Sequence, residues 1–316
     1  MVKKEIIMIK LHSLIFISAL ILFSCSYEKA TLKSSDNRQD FFIIWALSDI
    51  QPRNDSEREA FETSISDVKN NIPGPDMAIV GGDIFHNEEL SETTLNWYIK
   101  AREGADIEYW FEITGNHDMK DYEAYKKYIK KPLYYSVEVG NLLILFMSDE
   151  DRFPPTFISD DTFNWWKKQV VENQDKIIIT VTHAYLKNSG LFLANKVESR
   201  TILNSERFED VLRNYRVDLW LAAHTHVPSL LGFNENVVKE FNNTTFINIS
   251  RIRRDMKCNP ESRIIILKND SPTMIIKTRD HDNEEYISRR EVIINLKRNF
   301  IFKNNKPVFF LPETAK

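Results

Sequence analysis

From Phe41 onward the chain alternates between short apolar runs and longer stretches in which charged and apolar residues are interspersed. The runs at 42–47, 77–80, 109–113, 142–147, 177–181 and 219–222 are four to six residues long. That length, with β-branched and aromatic residues prominent, predicts strands buried on both faces. Between them, 57–70, 90–101, 121–129 and 162–172 carry the mixed spacing of surface helices, with Asp55 or Ser56 placed to cap the first. Strands alternating with helices predict an α/β fold. After Pro228 the texture turns to Val, Ile, Phe, Thr and Asn. Runs at 245–249, 263–267, 273–276 and 291–294 read as antiparallel strands that complete the same domain, from about residue 236, as a second sheet. No repeat period or Gly/Ser linker divides residues 41–316.

The N-terminal segment reads differently. Lys3, Lys4 and Lys10 precede an apolar run at 14–23, too short to span a bilayer comfortably and of the size of a secretion signal. The run ends Leu22-Phe23-Ser24-Cys25, which resembles the lipobox of bacterial lipoproteins; a plain signal peptide or an uncleaved helix is the alternative, and Met8 is an alternative start. The lipobox reading makes 1–24 a signal peptide and Cys25 an acylated first residue, so the protein faces away from the cytoplasm, anchored to a bacterial membrane. Polar residues 25–40 then form a flexible tether. Acylation of Cys25 leaves only Cys258, which excludes an intramolecular disulfide.

Composition narrows function by exclusion. With 42% apolar and 28% charged residues the chain is an ordinary globular one, and a formal charge of -4 gives nucleic acid no electrostatic footing. The chemistry lies just past the apolar runs, in Ser48-Asp49-Ile50-Gln51, Gly81-Gly82-Asp83, Gly115-Asn116-His117-Asp118, Thr182-His183 and Ala223-His224-Thr225-His226. Loops beyond the carboxyl ends of strands in an α/β sheet converge on one crevice, so these clusters meet in one site. Taken singly, each has an ordinary structural explanation: Asp caps helices, Asn adopts left-handed turns and His packs in cores. Four of the seven His residues fall inside these clusters, however, and that makes coincidence a poor explanation. The set offers carboxylate and amide oxygens and imidazole nitrogens with no thiolate, a donor mixture suited to divalent ions such as Mn, Fe or Zn.

These motifs, in this order, resemble the calcineurin-like metallophosphoesterase superfamily, whose pattern runs D-x-H, GD, GNH[DE], H and GHxH; the likeness covers Phe41 to about Pro228. The resemblance implies a four-layer fold of two mixed β-sheets with helices outside. It implies two divalent or trivalent metal ions, one on Asp49, Gln51, Asp83 and His226, the other on Asp83, Asn116, His183 and His224. Asp83 is then the bridge, a shared anion between cations about 3.5–4 Å apart that activate a bridging hydroxide. His117 is implied to act on the substrate as acid or charge stabiliser, with Asp118 holding its imidazole in the needed tautomer. The implied reaction is hydrolysis of a phosphomonoester or phosphodiester.

Gln51 departs from the family's usual His, exchanging an imidazole for a harder and weaker amide oxygen. It is the one feature favouring the alternative of an anchored binding protein that keeps the scaffold without turnover. Ala223 replaces a usual Gly at the cost of one methyl group. Gly115 is expected to turn the loop that aims Asn116 inward. Arg251, Arg253, Arg254 and Arg263 could reach a phosphate but read more simply as solvated strand faces, His86 and His281 as surface residues or supports of the ligands, and one of Trp165 and Trp166 as core.

Overall fold

A computed structural model of the protein describes residues 37–254 and 258–312. The signal peptide, Cys25 and most of the tether lie outside the described residues. The tether's last three residues do not: Arg38–Asp40 form a 3-10 turn, and Arg38 bonds the Pro73 carbonyl at 3.0 Å and Asp76 at 2.8 Å. Arg38 thus packs on the domain three residues before Phe41, through polar contacts.

Two seven-stranded mixed sheets make the frame. In the first, β1 (Phe41–Leu47), β2 (Met77–Val80) and β3 (Tyr109–Glu112) are parallel, joined through α1 (Asp55–Asn71) and α2 (Ser91–Glu103). In the second, β4 (Tyr134–Val139), which follows α3 (Tyr122–Ile129), runs antiparallel to β5 (Leu142–Met147). Parallel to β5 come β6 (Ile177–Thr182), reached through α4 (Asp160–Glu172), and β7 (Leu219–Ala222), reached through α5 (Glu206–Asn214). The remaining strands are β8 (Glu235–Val238), β9 (Thr244–Asn248), β10 (Glu261–Lys268), β11 (Ser271–Asp280), β12 (Glu285–Tyr286), β13 (Val292–Phe300) and β14 (Val308–Phe310).

These last strands do not form a sheet of their own. β10 pairs antiparallel with β1, and β11, β12 and β13 extend the first sheet from it. β9 lies parallel to β7 in the second sheet, contrary to the antiparallel expectation, with β8 antiparallel on its outer side. A run of Thr, Phe and Ile fits either pairing, so its direction is set by the connection rather than its composition.

Alternate residues of both sheets interlock between them: Phe42, Ile44 and Ala46 of β1 share one cluster with Ile144 and Phe146 of β5 and Ile179 and Val181 of β6. The other face of the second sheet is closed by α4 and α5, where Trp166 and Phe208 pack on Trp220. Trp166 and Trp220 satisfy their indole N–H groups on Thr180 at 3.0 Å and Thr182 at 2.8 Å, so buried Thr hydroxyls inside strands are used up there. With both faces covered, β1 and β5 read as unbroken apolar runs, and β6 is interrupted only by the two threonines that meet the indoles.

Helix starts follow polar caps. Asn54, not Asp55 or Ser56, caps α1 by accepting from the Glu57 amide at 3.1 Å, and Ser159 and Asp121 cap α4 and α3. Among the basic residues, the expectation of solvated faces fails. Arg251, Arg253 and Arg263 are buried; Arg253 reaches Glu57 at 3.2 Å and Arg263 the Asn248 carbonyl at 2.9 Å. His281 is likewise buried, its Nδ1 2.7 Å from Asp67 and its Nε2 2.7 Å from the Ser262 hydroxyl. Arg263 sits on β10, which is buried from Glu261 to Leu267, and its guanidinium meets a carbonyl and a hydroxyl, while Arg253, in the loop after β9, pairs with Glu57.

Candidate metal centre

Each ligand-bearing segment leaves its strand at the same end of the frame. The first sheet delivers Asp49 and Gln51 after β1, Asp83 after β2 and Asn116 and His117 after β3. The second delivers His183 after β6 and His224 and His226 after β7. Backbone bonds tie the loops together: the Asp49 amide donates to Gly82 at 3.1 Å, Gln51 to Asp83 at 3.0 Å and Ala223 to His183 at 2.7 Å. The His224 amide crosses from one sheet to the other to reach Asp49 Oδ2 at 3.2 Å.

Four of these residues hold left-handed backbone, with φ of 51° at Asp49, 58° at Asp83, 66° at His224 and 54° at His226. Asp and His accept this region more readily than most residues, and it still costs each of them on the order of 1 kcal/mol. The reversal turns side chains at strand ends into the crevice rather than along the sheet.

Two groups of donor atoms result, each gathered within 4.8 Å: Asp83 with His183 and His224, and Asp83 with Asp49 and His226. Asp83 belongs to both. Its carboxylate is held by the His117 amide at 2.9 Å on Oδ1 and lies 3.4 Å from His183 Nε2 through Oδ2. Burial works against its charge, but His183, His117 and His224 hold it well below the usual carboxylate range. Asp49, also buried, is held low by His226.

Carbonyls orient the imidazoles. His183 turns Nδ1 to the Gly81 carbonyl at 2.7 Å, and His224 turns Nε2 to the Ser199 carbonyl at 3.0 Å. Each N–H is thereby spent on backbone, leaving His183 Nε2 and His224 Nδ1 facing one another 3.1 Å apart. Two imidazole lone pairs at that distance require a proton or a cation between them. Burial and the neighbouring His183 push His224 down to about 3, so it offers a neutral nitrogen; against burial, the Asp83, Asp149 and Asp49 carboxylates hold His183 well above its ordinary value. Asn116 is buried with Oδ1 lacking a hydrogen-bond donor, as suits an oxygen that meets a cation. Gln51 places Nε2 3.2 Å from Asp83 Oδ2 and 3.0 Å from His226, with Oε1 3.2 Å from His86 Nδ1. A turned amide presents its oxygen to the same place and its NH₂ to His86. The donor set thus fits two cations.

The geometry assigns Asp118 a different part from orienting His117. Its carboxylate accepts from the amides of Asp83 at 2.7 Å, Gly115 at 2.9 Å, Ile84 at 2.8 Å and Phe85 at 3.3 Å. It therefore clamps the loop that carries Asp83. Burial beside Asp83 pushes it up to about 7, opposed by the Gly115 and Ile84 amides. The His117 ring is oriented instead by the His86 carbonyl, 2.5 Å from Nδ1, and by Lys120, whose Nζ lies 2.9 Å from the same nitrogen and donates to that carbonyl at 3.1 Å. Gly115 serves by absence of a side chain: a Cβ there would collide with Asp83 and His183, and its φ is not in the left-handed region.

His86, expected as a surface residue or a support of the ligands, is a support: it stacks on His117 with ring centres 4.9 Å apart while touching Gln51. One residue escaped the sequence pattern. Asp149, buried after β5, accepts from Thr156 at 3.1 Å, and its amide donates to Thr114 at 3.1 Å; burial, with Asp83 adding, pushes it up to about 7. The signal for it was Ser148-Asp149-Glu150 at the end of the run 142–147, a sixth strand end carrying acid.

Comparison with solved structures gives the same architecture at low identity. A dimetal phosphatase from Danio rerio superposes with a TM-score of 0.62 at 10% identity, over 81% of this chain and 99% of that one. A purple acid phosphatase from yellow lupin (Lupinus luteus) gives 0.60 at 11%, over 81% of this chain and 54% of the longer enzyme. GAP50, the anchor in the inner membrane complex of Plasmodium, gives 0.58 at 15%, over 82% and 90%. No curated protein sequence matches the chain. The sequence model of the calcineurin-like phosphoesterases matches residues 42–228, which hold every ligand candidate above, and the chain belongs to that family.

Proposed function

We propose that the protein hydrolyses phosphate monoesters or diesters with two metal ions, and that it does so outside the cytoplasm, anchored by lipid on Cys25. The observation that carries the catalytic reading is the pair of donor groups sharing Asp83. Asp49, Gln51, Asp83 and His226 would hold one ion, and Asp83, Asn116, His183 and His224 the other. When bound, such ions polarise phosphoryl oxygens and lower the pKa of the attacking water.

The chain's own residues do the rest. Asp118 fixes the Asp83 backbone amide and the His117 amide fixes the Asp83 carboxylate, while the Gly81 and Ser199 carbonyls fix two imidazoles. With Nδ1 engaged by the His86 carbonyl, His117 keeps Nε2 for the substrate. Burial lowers its pKa, and in its protonated form the ring would donate to the leaving oxygen.

The test uses the chain from Ser26, supplied in turn with Mn, Fe(II) and Zn and assayed in parallel on aryl phosphate monoesters and diesters, with metal counted per chain. Two ions and turnover of either ester are expected. Fewer than two ions with no turnover of either class would favour the non-catalytic binding protein that Gln51 admits. For the anchor, wild-type chain expressed in a Gram-negative cell should enter the detergent phase of a phase separation and Cys25→Ser should not. Wild type wholly in the aqueous phase rejects the anchor.

A further inference from the structure

Just past His226 the chain makes a turn, residues 229–234, that presents Leu230, Leu231 and Phe233 to solvent at 64, 56 and 67% exposure. The turn is held rigidly from beneath. Ser229 bonds the buried Glu261 carboxylate with amide and hydroxyl, both at 2.8 Å. Asn234 donates to the Pro228 carbonyl at 3.0 Å and accepts from Asn248 at 2.6 Å, and the Phe192 amide reaches the Phe233 carbonyl at 2.9 Å. Phe233 itself is kept at φ 53°, where bulky residues seldom settle. Three large apolar side chains are thus fixed outward rather than left on a loose loop. Arg290 lies against Gly232 with its guanidinium 3.1 Å from Glu235, so that charge is paired and the tip is apolar rather than cationic. An exposed, fixed apolar tip of this kind suits insertion into the interface of a bilayer.

We propose that this turn docks the mouth of the metal centre onto a lipid bilayer. The occupant follows from the anchor at Cys25. The thirteen residues from there to Arg38 reach at most about 45 Å, whereas β1 carries the chain about 20 Å from its start to the site end of the sheet. The tether is long enough for the site face to meet the membrane in which the lipid is seated. Given the phosphoesterase reading, on which this consequence rests, docking brings headgroup phosphate esters to the site; docking itself needs neither metal nor turnover.

The test is therefore run without either. The described core lies within residues 42–302, so a chain starting at Ser26 keeps it. That chain, in chelator, is co-sedimented with vesicles of phosphatidylglycerol and phosphatidylethanolamine. Wild type should bind, and the triple variant Leu230→Ser, Leu231→Ser, Phe233→Ser should bind at least tenfold more weakly with an unchanged melting temperature. A control, Phe309→Ser with Phe310→Ser on the exposed β14 edge, should bind as wild type. Absence of wild-type binding overturns the proposal, as does equal loss in the control or binding retained by the triple variant. A dimer seen by sedimentation that the triple variant loses, without vesicle binding, gives the turn to a second copy instead.

Discussion

Replacing Gly115 by Ala adds one methyl group beside Asp83 and His183, ligand candidates delivered by different sheets. The new Cβ would fall against Asp83 Oδ1, 2.7 Å from His183 Cε1 and 2.8 Å from Asp83 Cγ, where carbon contacts prefer about 3.5–4.0 Å. Something must move by roughly 1 Å. The backbone of Gly115 is tied in place by its nitrogen's bond to the buried Asp118 carboxylate at 2.9 Å. The displacement therefore falls on Asp83 and His183. Because Gly115 does not sit in the left-handed region, Ala brings no conformational penalty and the effect is purely steric.

Overpacking of this kind costs about 1–3 kcal/mol, and a domain of this size loses roughly 2–4 °C of melting temperature per kcal/mol. The larger loss is functional. A catalytic group misplaced by about 1 Å can cost 10²-fold in rate, and Asp83 and His183 both belong to the donor group completed by His224. After dialysis, Gly115→Ala should retain less than one ion in that group by elemental analysis, melt several degrees lower and fall at least 10²-fold in kcat. Ala223→Gly, which deletes a buried methyl without crowding a ligand, should melt a few degrees lower but keep both ions and the rate. Two tightly held ions, a wild-type melting temperature and a wild-type rate in Gly115→Ala would show that the steric reasoning is wrong.

Asp83→Asn should lose both ions and nearly all activity, whereas Gln51→His should retain or tighten metal; a two-ion Asp83 variant with a normal rate refutes the sharing. His117→Ala should keep both ions and lose about 10²- to 10⁴-fold in kcat, more for alkyl than for nitrophenyl esters. Equal loss on both would show that His117 acts on phosphoryl charge and not as an acid. Away from the site, Asp67 is paired with Arg279 and with His281 at 2.7 Å, which against burial hold its pKa well below the usual value. A depressed carboxylate stabilises the fold above its unfolded pKa of about 3.9 and loses that contribution as pH falls toward the folded value. The melting-temperature gap between wild type and Asp67→Asn should thus be wide at pH 7 and narrow below pH 4; a gap independent of pH removes the charge from the explanation.

The site was more legible in the sequence than its supports. Asp49, Asp83, Asn116, His183 and His224 stand directly after apolar runs, and strand ends in α/β sheets share a crevice, so local pattern and topology pointed the same way. His86 and Asp118 show where pattern stops. Asp118 occupies a motif position, but its partners are backbone amides of a loop more than thirty residues earlier, a contact that no spacing encodes. The direction of β9 and the division of the late strands between two sheets were hidden for a related reason: pairing partners are chosen by the path of the chain. The buried arginines misled because charge in a strand signals solvent only when one face is open. Arg263 sits where both faces are covered.

The pairing of β1 with β10 also dictates an order of events. Trp45 lies opposite Ile264, so one edge of the most apolar strand in the domain stays open until the last fifth of the chain is present. Such distant pairing folds slowly and leaves an aggregation-prone edge exposed in the meantime. A ribosome that has released β1, β2 and β3 cannot yet have closed the first sheet. For the extracytoplasmic destination proposed for this chain, late closure would keep the polypeptide threadable through a translocation channel until β10 has followed β1.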